Sequence, residues 1–152
     1  MDKEIIIKEI EKAFLNVKLG DGIGLWEAQA IDDYEKKEVQ KKKRKLDEKD
    51  NWSLISHDEL QKCHSSLSFF DANGMRFHLP AFIIGSLNKD IEDPVFHLTH
   101  LDDYAKSKLT SLNNDQIMAV INYLRWCLDN QEYQYEHPMI KRALKEYWET
   151  QI

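Results

Sequence analysis

Most hydrophobic positions along the chain recur with helical spacing, and one stretch does not. In residues 2–18, Ile6, Ile10, Ala13, Phe14 and Val17 stand at i, i+4, i+7, i+8 and i+11 with Glu and Lys between them, which predicts an amphipathic helix. Leu19-Gly20-Asp21-Gly22 ends it, since glycine just past the last turn is the usual stop. Asp21 then caps a short segment over 23–31 that carries Leu25, Trp26, Ala28 and Ile31. Helical spacing returns in 100–112, in 115–129 and in 139–150. The clearest stripe is Ile117, Val120, Ile121, Leu124, Cys127 and Leu128. Local start signals support these limits: Ser56 with Glu59 and Thr99 with Asp102 have capping-box spacing, Asn113 or Asn114 suits a cap, and Pro138 suits a first turn.

Residues 67–87 are apolar in a different way. Leu67, Phe69 and Phe70 approach Asp71-Ala72-Asn73-Gly74, and Met75 and Phe77 leave it in alternation with Arg76 and His78. Asn73-Gly74 reaches positive φ cheaply, so the stretch predicts a β-hairpin turning at 71–74. Pro80 then opens a short, wholly apolar helix over 80–88. After a polar loop at 88–94, residues 95–99 predict a third short strand beside the hairpin. The fold class expected is therefore α+β, mainly helical: five or six helices around a small two- or three-stranded antiparallel sheet, in one domain over 1–152.

One segment changes the charge picture. Residues 36–49 hold eight Lys or Arg against three acids, a local +5, which leaves −11 on the rest of a chain whose net charge is −6. Its apolar residues thin to Val39 and Leu46 after Tyr34, and no aromatic interleaves with the lysines as a single-strand stacking surface requires. A solvated helix with a narrow apolar seam is the first reading, and a patch for an anionic partner the second. The acidic balance excludes a general nucleic-acid binder. No apolar run is long enough to span a bilayer. The start, MDKEIIIKEIEK, lacks the apolar core of a signal peptide, and Cys63 and Cys127 form no CxxC, so a cytoplasmic protein with free thiols is expected.

Candidate chemistry gathers on histidines. His97 and His100 are three apart at an expected strand-to-helix junction, and His78 ends the hairpin, so pairing of the two strands would bring the three imidazoles together. Three histidines with an open position could hold Zn²⁺, with Asp103 as base, in a metal-dependent hydrolase. Arg76, His78, His97 and His100 are equally candidate binding residues. Against catalysis, there is no HExxH, Walker A loop, GxGxxG or GxSxG. The pairs Asp32-Asp33 and Asp102-Asp103 sit where helices are expected to begin, and neighbours on a helix do not face one another.

The phrases F-D-A-N-G-M-R-F-H-L-P-A (70–81) and F-H-L-T-H-L (96–101) resemble a family of uncharacterised bacterial proteins, a domain-of-unknown-function family. Gly24-Leu25-Trp26-Glu27-Ala28, Asp32-Asp33-Tyr34 and the closing Ala143, Tyr147 and Trp148 share that resemblance, which covers nearly the whole chain. It implies a bacterial source and a single domain, and brings no activity, cofactor or catalytic residue. The function expected is a non-catalytic cytoplasmic binding or interaction protein, with immunity proteins as a sub-case by analogy and an unknown protein as partner. Trp26, Trp52 and Tyr133 are the aromatics expected on its recognition surface. The alternative is the zinc hydrolase.

Overall fold

The structure, a computed structural model, describes residues 2–88 and 91–152. Nine α-helices follow one another among these residues, and no strand occurs among them. They are α1 (Lys3–Ala13), α2 (Leu25–Asp32), α3 (Lys37–Leu46), α4 (His57–Lys62), α5 (Ala72–Leu87), α6 (Val95–Thr99), α7 (Asp103–Ser107), α8 (Asn114–Leu128) and α9 (His137–Glu146). Single 3-10 turns at Trp52–Leu54, His64–Ser68, Gln131–Tyr133 and Trp148–Gln151 join or follow them. The α+β expectation is overturned: the architecture is all helical.

The expected hairpin is the long helix α5. Asp71 is its N-cap, with a side-chain oxygen accepting from the Gly74 N–H at 2.8 Å. The same oxygen accepts from the Ile23 N–H at 3.0 Å, which moors the loop before α2 to the start of α5. Gly74 has no Cβ for a reason unrelated to a turn, since one built there would stand 2.6 Å from the Ile23 carbonyl oxygen. Asp-Ala-Asn-Gly thus serves as a helix start that a second loop overlies. Pro80 lies mid-helix rather than at the first turn, where it removes one intrahelical donor. Twelve of the sixteen residues of α5 are buried, so its contacts replace what that missing bond loses.

Around α5 the other elements close the core. α1 lays Ile6 and Ile10 against α5 and α8, α9 packs on both α8 and α6, and Trp148 is fully buried with its indole N–H donating to the Leu98 carbonyl at 2.8 Å. The expected third strand is the short helix α6, with Pro94 at its N-cap and Asp93 just before it accepting from the Val95 N–H at 3.0 Å. Of the loop expected at 88–94, residues 89 and 90 lie outside the described residues. The helix expected over 100–112 contracts to α7 and a following turn, and its cap is Asp102, accepting from the Ala105 N–H at 2.8 Å, rather than Thr99. Asp32 and Asp33 end α2 instead of opening a helix, and its N-cap is Gly24 rather than Asp21. The capping box at Ser56 with Glu59 forms as expected, Asn113 is the cap of α8 and adds a box with Gln116 that was not expected, and Cys127 is buried on its stripe.

α3 stands apart. None of its ten residues is buried, and Tyr34 and Leu46, read as part of its apolar seam, are 96% and 82% exposed. It packs alongside α2 through the half-buried Val39 and Gln40, and it is also tethered at its C-terminal end. The Arg44 guanidinium donates to the Gly20 carbonyl at 2.7 Å and pairs with Glu27 at 3.6 Å. Just beyond, the buried Asp47 carboxylate accepts from the N–H groups of Trp26 and Glu27, at 2.8 and 3.1 Å. Asp47 therefore caps α2 from twenty residues downstream, and a Cβ at Gly24 would collide with it. Burial raises the Asp47 carboxyl above its ordinary value, against those two hydrogen bonds. No helix among the described residues is long and apolar enough to cross a membrane.

Candidate functional site

A cleft of about 390 Å³ opens where α6 and α7 meet the 3-10 turn His64–Ser68 and the start of α5. α6 supplies Phe96 and His97 to its wall, and His100 follows directly after that helix. The Phe96 and His100 rings stack with centroids 4.1 Å apart, and Phe96 meets His97 edge-on at 5.4 Å. α7 supplies Tyr104, and Lys108 follows it at i+4, so that both side chains reach the same side. Tyr104 donates its hydroxyl to the Ser68 carbonyl at 2.9 Å.

Lys108 is the cation of this site, and the exposed Asp102 carboxylate also lines it. It is 5% exposed, its ammonium lies 4.3 Å from the centre of the Tyr104 ring, and it donates to the carbonyls of Leu67 and Ser68. Those carbonyls end a 3-10 turn, where a cation is favoured. Burial lowers the Lys108 amine to about 8, with Asp102 opposing, so the group remains mostly charged at neutral pH. Burial, then the charge of Lys108 and the neighbouring His100, lowers His97 to about 4 and keeps its ring neutral. The cleft thus combines aromatic walls, a neutral imidazole, one desolvated cation and, at its exposed side, the Asp102 carboxylate.

Of the residues singled out from the sequence, His97, His100 and Asp102 meet here. His78 is fully buried in α5 and does not line the cleft; its ring stacks on Phe70 at 4.3 Å, and its Nδ1 lies 2.7 Å from the Gly74 carbonyl. A neutral ring that donates there leaves Nε2 as an acceptor with no partner among the described residues. Burial lowers the His78 imidazole to about 4. Arg76 is half-buried on α5, and its Nε has no partner among the described residues. Asp103 is exposed in the first turn of α7, where its charge suits the helix N-terminus. Among the described residues, no group of three His, Cys, Asp or Glu side chains is placed to hold a metal ion, so the three imidazoles make no zinc ligand set.

The aromatics expected on a recognition surface are also redistributed. Trp52 is buried with its indole N–H on the Phe14 carbonyl at 2.9 Å, Tyr133 is buried, and Trp26 is half-buried. The sequence reading missed Phe96, Tyr104 and Lys108. A signal for Lys108 was present: it falls on the apolar register Leu101, Tyr104, Ala105, Leu112, where a lysine is out of place.

A family of unknown function, DUF6714, matches residues 2–152. The chain belongs to this family. It matches no curated protein and no solved structure. The family assignment carries no reaction or ligand, and the chemistry of the cleft must speak for itself.

Proposed function

We propose that this member of the family acts by binding rather than by catalysis, and that the cleft between α6 and α7 takes a small planar anion such as an aromatic carboxylate. One observation carries the reading: a desolvated ammonium, Lys108, lies at a cleft walled by Phe96, His97, His100 and Tyr104. A carboxylate gains from a partly buried cation more than from one in water, and a flat ring gains from the aromatic walls. Cytoplasmic residence belongs to the same reading, and the buried free thiols Cys63 and Cys127 support it.

Thermal unfolding with benzoate, benzamide and cyclohexanecarboxylate tests this. Benzoate is expected to raise Tm, the uncharged benzamide and the non-aromatic acid much less, because only benzoate meets both requirements. At 100 times its dissociation constant a ligand adds about 2.7 kcal/mol, a shift of several degrees in a domain of this size. Phe96→Ala and His100→Ala change exposed side chains and are expected to remove most of the shift without unfolding the protein. Equal shifts with all three compounds, or none with benzoate, would refute the reading. The charge of Lys108 also fixes a pH dependence: benzoate affinity should fall as pH rises through about 8.

A further inference from the structure

We propose that the outer face of α3 is a docking surface for an acidic segment of another protein. The face consists of Lys37, Lys41, Lys42 and Lys45 with Glu38 among them, all exposed, a net charge of +3, and it shares no residue with the cleft. Positions 37, 41 and 45 lie one above the other at i, i+4 and i+8, with 42 alongside.

Among the described residues, no hydrogen bond or ion pair uses the ammonium groups of these lysines. The inner side of α3 is the part that touches the body, through Arg44 on Glu27 and Gly20, through Lys43 over the Trp26 ring at 5.6 Å, and through the half-buried Val39 and Gln40. No ion pair closes on Lys37, Lys41, Lys42 or Lys45 among the described residues. Six cations on one short helix repel one another with only Glu38 between them, and a helix of ten residues that buries none of them is marginal alone. An arrangement that costs stability and contributes nothing to the core is accounted for by a partner that completes it.

The chemistry of that partner follows from charge and shape. The face is a row about 15 Å long, the length of ten helical residues, with exposed Tyr34 preceding it and exposed Leu46 at its end. A protein segment with carboxylates at helical spacing and apolar residues between them matches both features. A nucleic acid matches less well, because the remainder of the chain carries −11 and no aromatic stands among the lysines for bases to stack on.

Fluorescence anisotropy on the full chain tests the proposal with two labelled probes. One is an amphipathic peptide of Glu and Leu, about 20 residues and so about 30 Å long as a helix; the other is a DNA duplex of matching length. The peptide is expected to bind the wild type, with affinity falling at least about tenfold from low to moderate salt. The variant with Lys37, Lys41, Lys42 and Lys45 all changed to Gln is expected to lose binding, and its Tm should stay near that of the wild type, since exposed substitutions cost little. Leu46→Ser should weaken peptide binding several-fold and leave its salt dependence unchanged. Failure of the wild type to bind, equal binding by the Gln variant, equal affinity of Leu46→Ser or tighter binding of the DNA would each overturn the proposal. Salt-sensitive self-association of the wild type would overturn it too, by putting a second copy in the partner's place.

Discussion

α5 and α3 are both helices, yet opposite forces hold them. α5 has twelve buried residues, no acidic residue in its first turn and a proline in its middle, and it survives because it lies in the core. α3 has no buried residue and a run of lysines, and it survives because its inner side packs along α2 while Arg44 and Asp47 tether its end to α2 and the loop before it. Propensity is therefore a poor guide to which is the firmer element. Lys, Gln and Glu favour helix more than the Gly, Phe and Pro of α5 do. Burial outweighs that difference many times over.

The contrast can be broken at several points. Phe82→Ala in α5, at a fully buried ring, should cost about 3–5 kcal/mol in urea unfolding, if the variant folds at all. The next effect is one of pH. His78 has a folded pKa of about 4 against an unfolded value near 6.5, so the unfolded chain takes up the proton first. Its contribution is complete above pH 6.5 and is lost as pH falls towards 4, by about 3 kcal/mol in all. His97 has the same sign, whereas Asp47, raised by burial, gains stability as pH falls and so opposes them. The wild-type profile compared with that of His78→Leu isolates the histidine, and parallel profiles would show that its ring is not the buried neutral group described.

Gly74→Ala sharpens the comparison further. In a free helix the change would stabilise by about 1 kcal/mol. Here the new Cβ would press on the Ile23 backbone, so a net loss of about 1–3 kcal/mol is expected. Asp47→Ala should cost about 1–2 kcal/mol, as loss of a cap does. Its distinctive mark is local: amide exchange in residues 37–46 should quicken while α5 keeps its protection. Smallest of all, Lys41→Ala on the outer face of α3 should shift stability by less than about 0.5 kcal/mol.

How far the sequence reached depended on whether a signal was local. Ser56 with Glu59 forms the box its spacing predicts, and Asn113 is a cap as its residue type predicts, because each signal lies within one helical turn. The stripe of α8 was legible for the same reason, as period and burial agree there. Asp71-Ala72-Asn73-Gly74 misled because Asp followed by a glycine three residues on serves a hairpin and a helix start alike. The deciding contact comes from Ile23, forty-eight residues earlier. The apolar run of α5 had no period to read, since a helix buried on every side shows none.

The site divides in the same way. His97 and His100 were visible as a pair because three residues separate them, and α6 does bring both to the cleft. The expected convergence with His78 rested on strand pairing, and it disappeared with the strands. Lys108 was hidden because its meaning lies in the carbonyls of Leu67 and Ser68, forty residues away. By itself, then, the sequence determined that the chain is mainly helical, where several helices start, and that the lysines of residues 36–45 are a basic run on a helix with no buried residue. Those properties follow from neighbours within a turn. Only the tertiary structure decided that 72–87 is one helix, that Asp47 caps α2, and that a lysine stands among aromatic rings in a cleft. Each depends on groups that chain folding brings together from tens of residues apart, and periodicity carries no record of such distances.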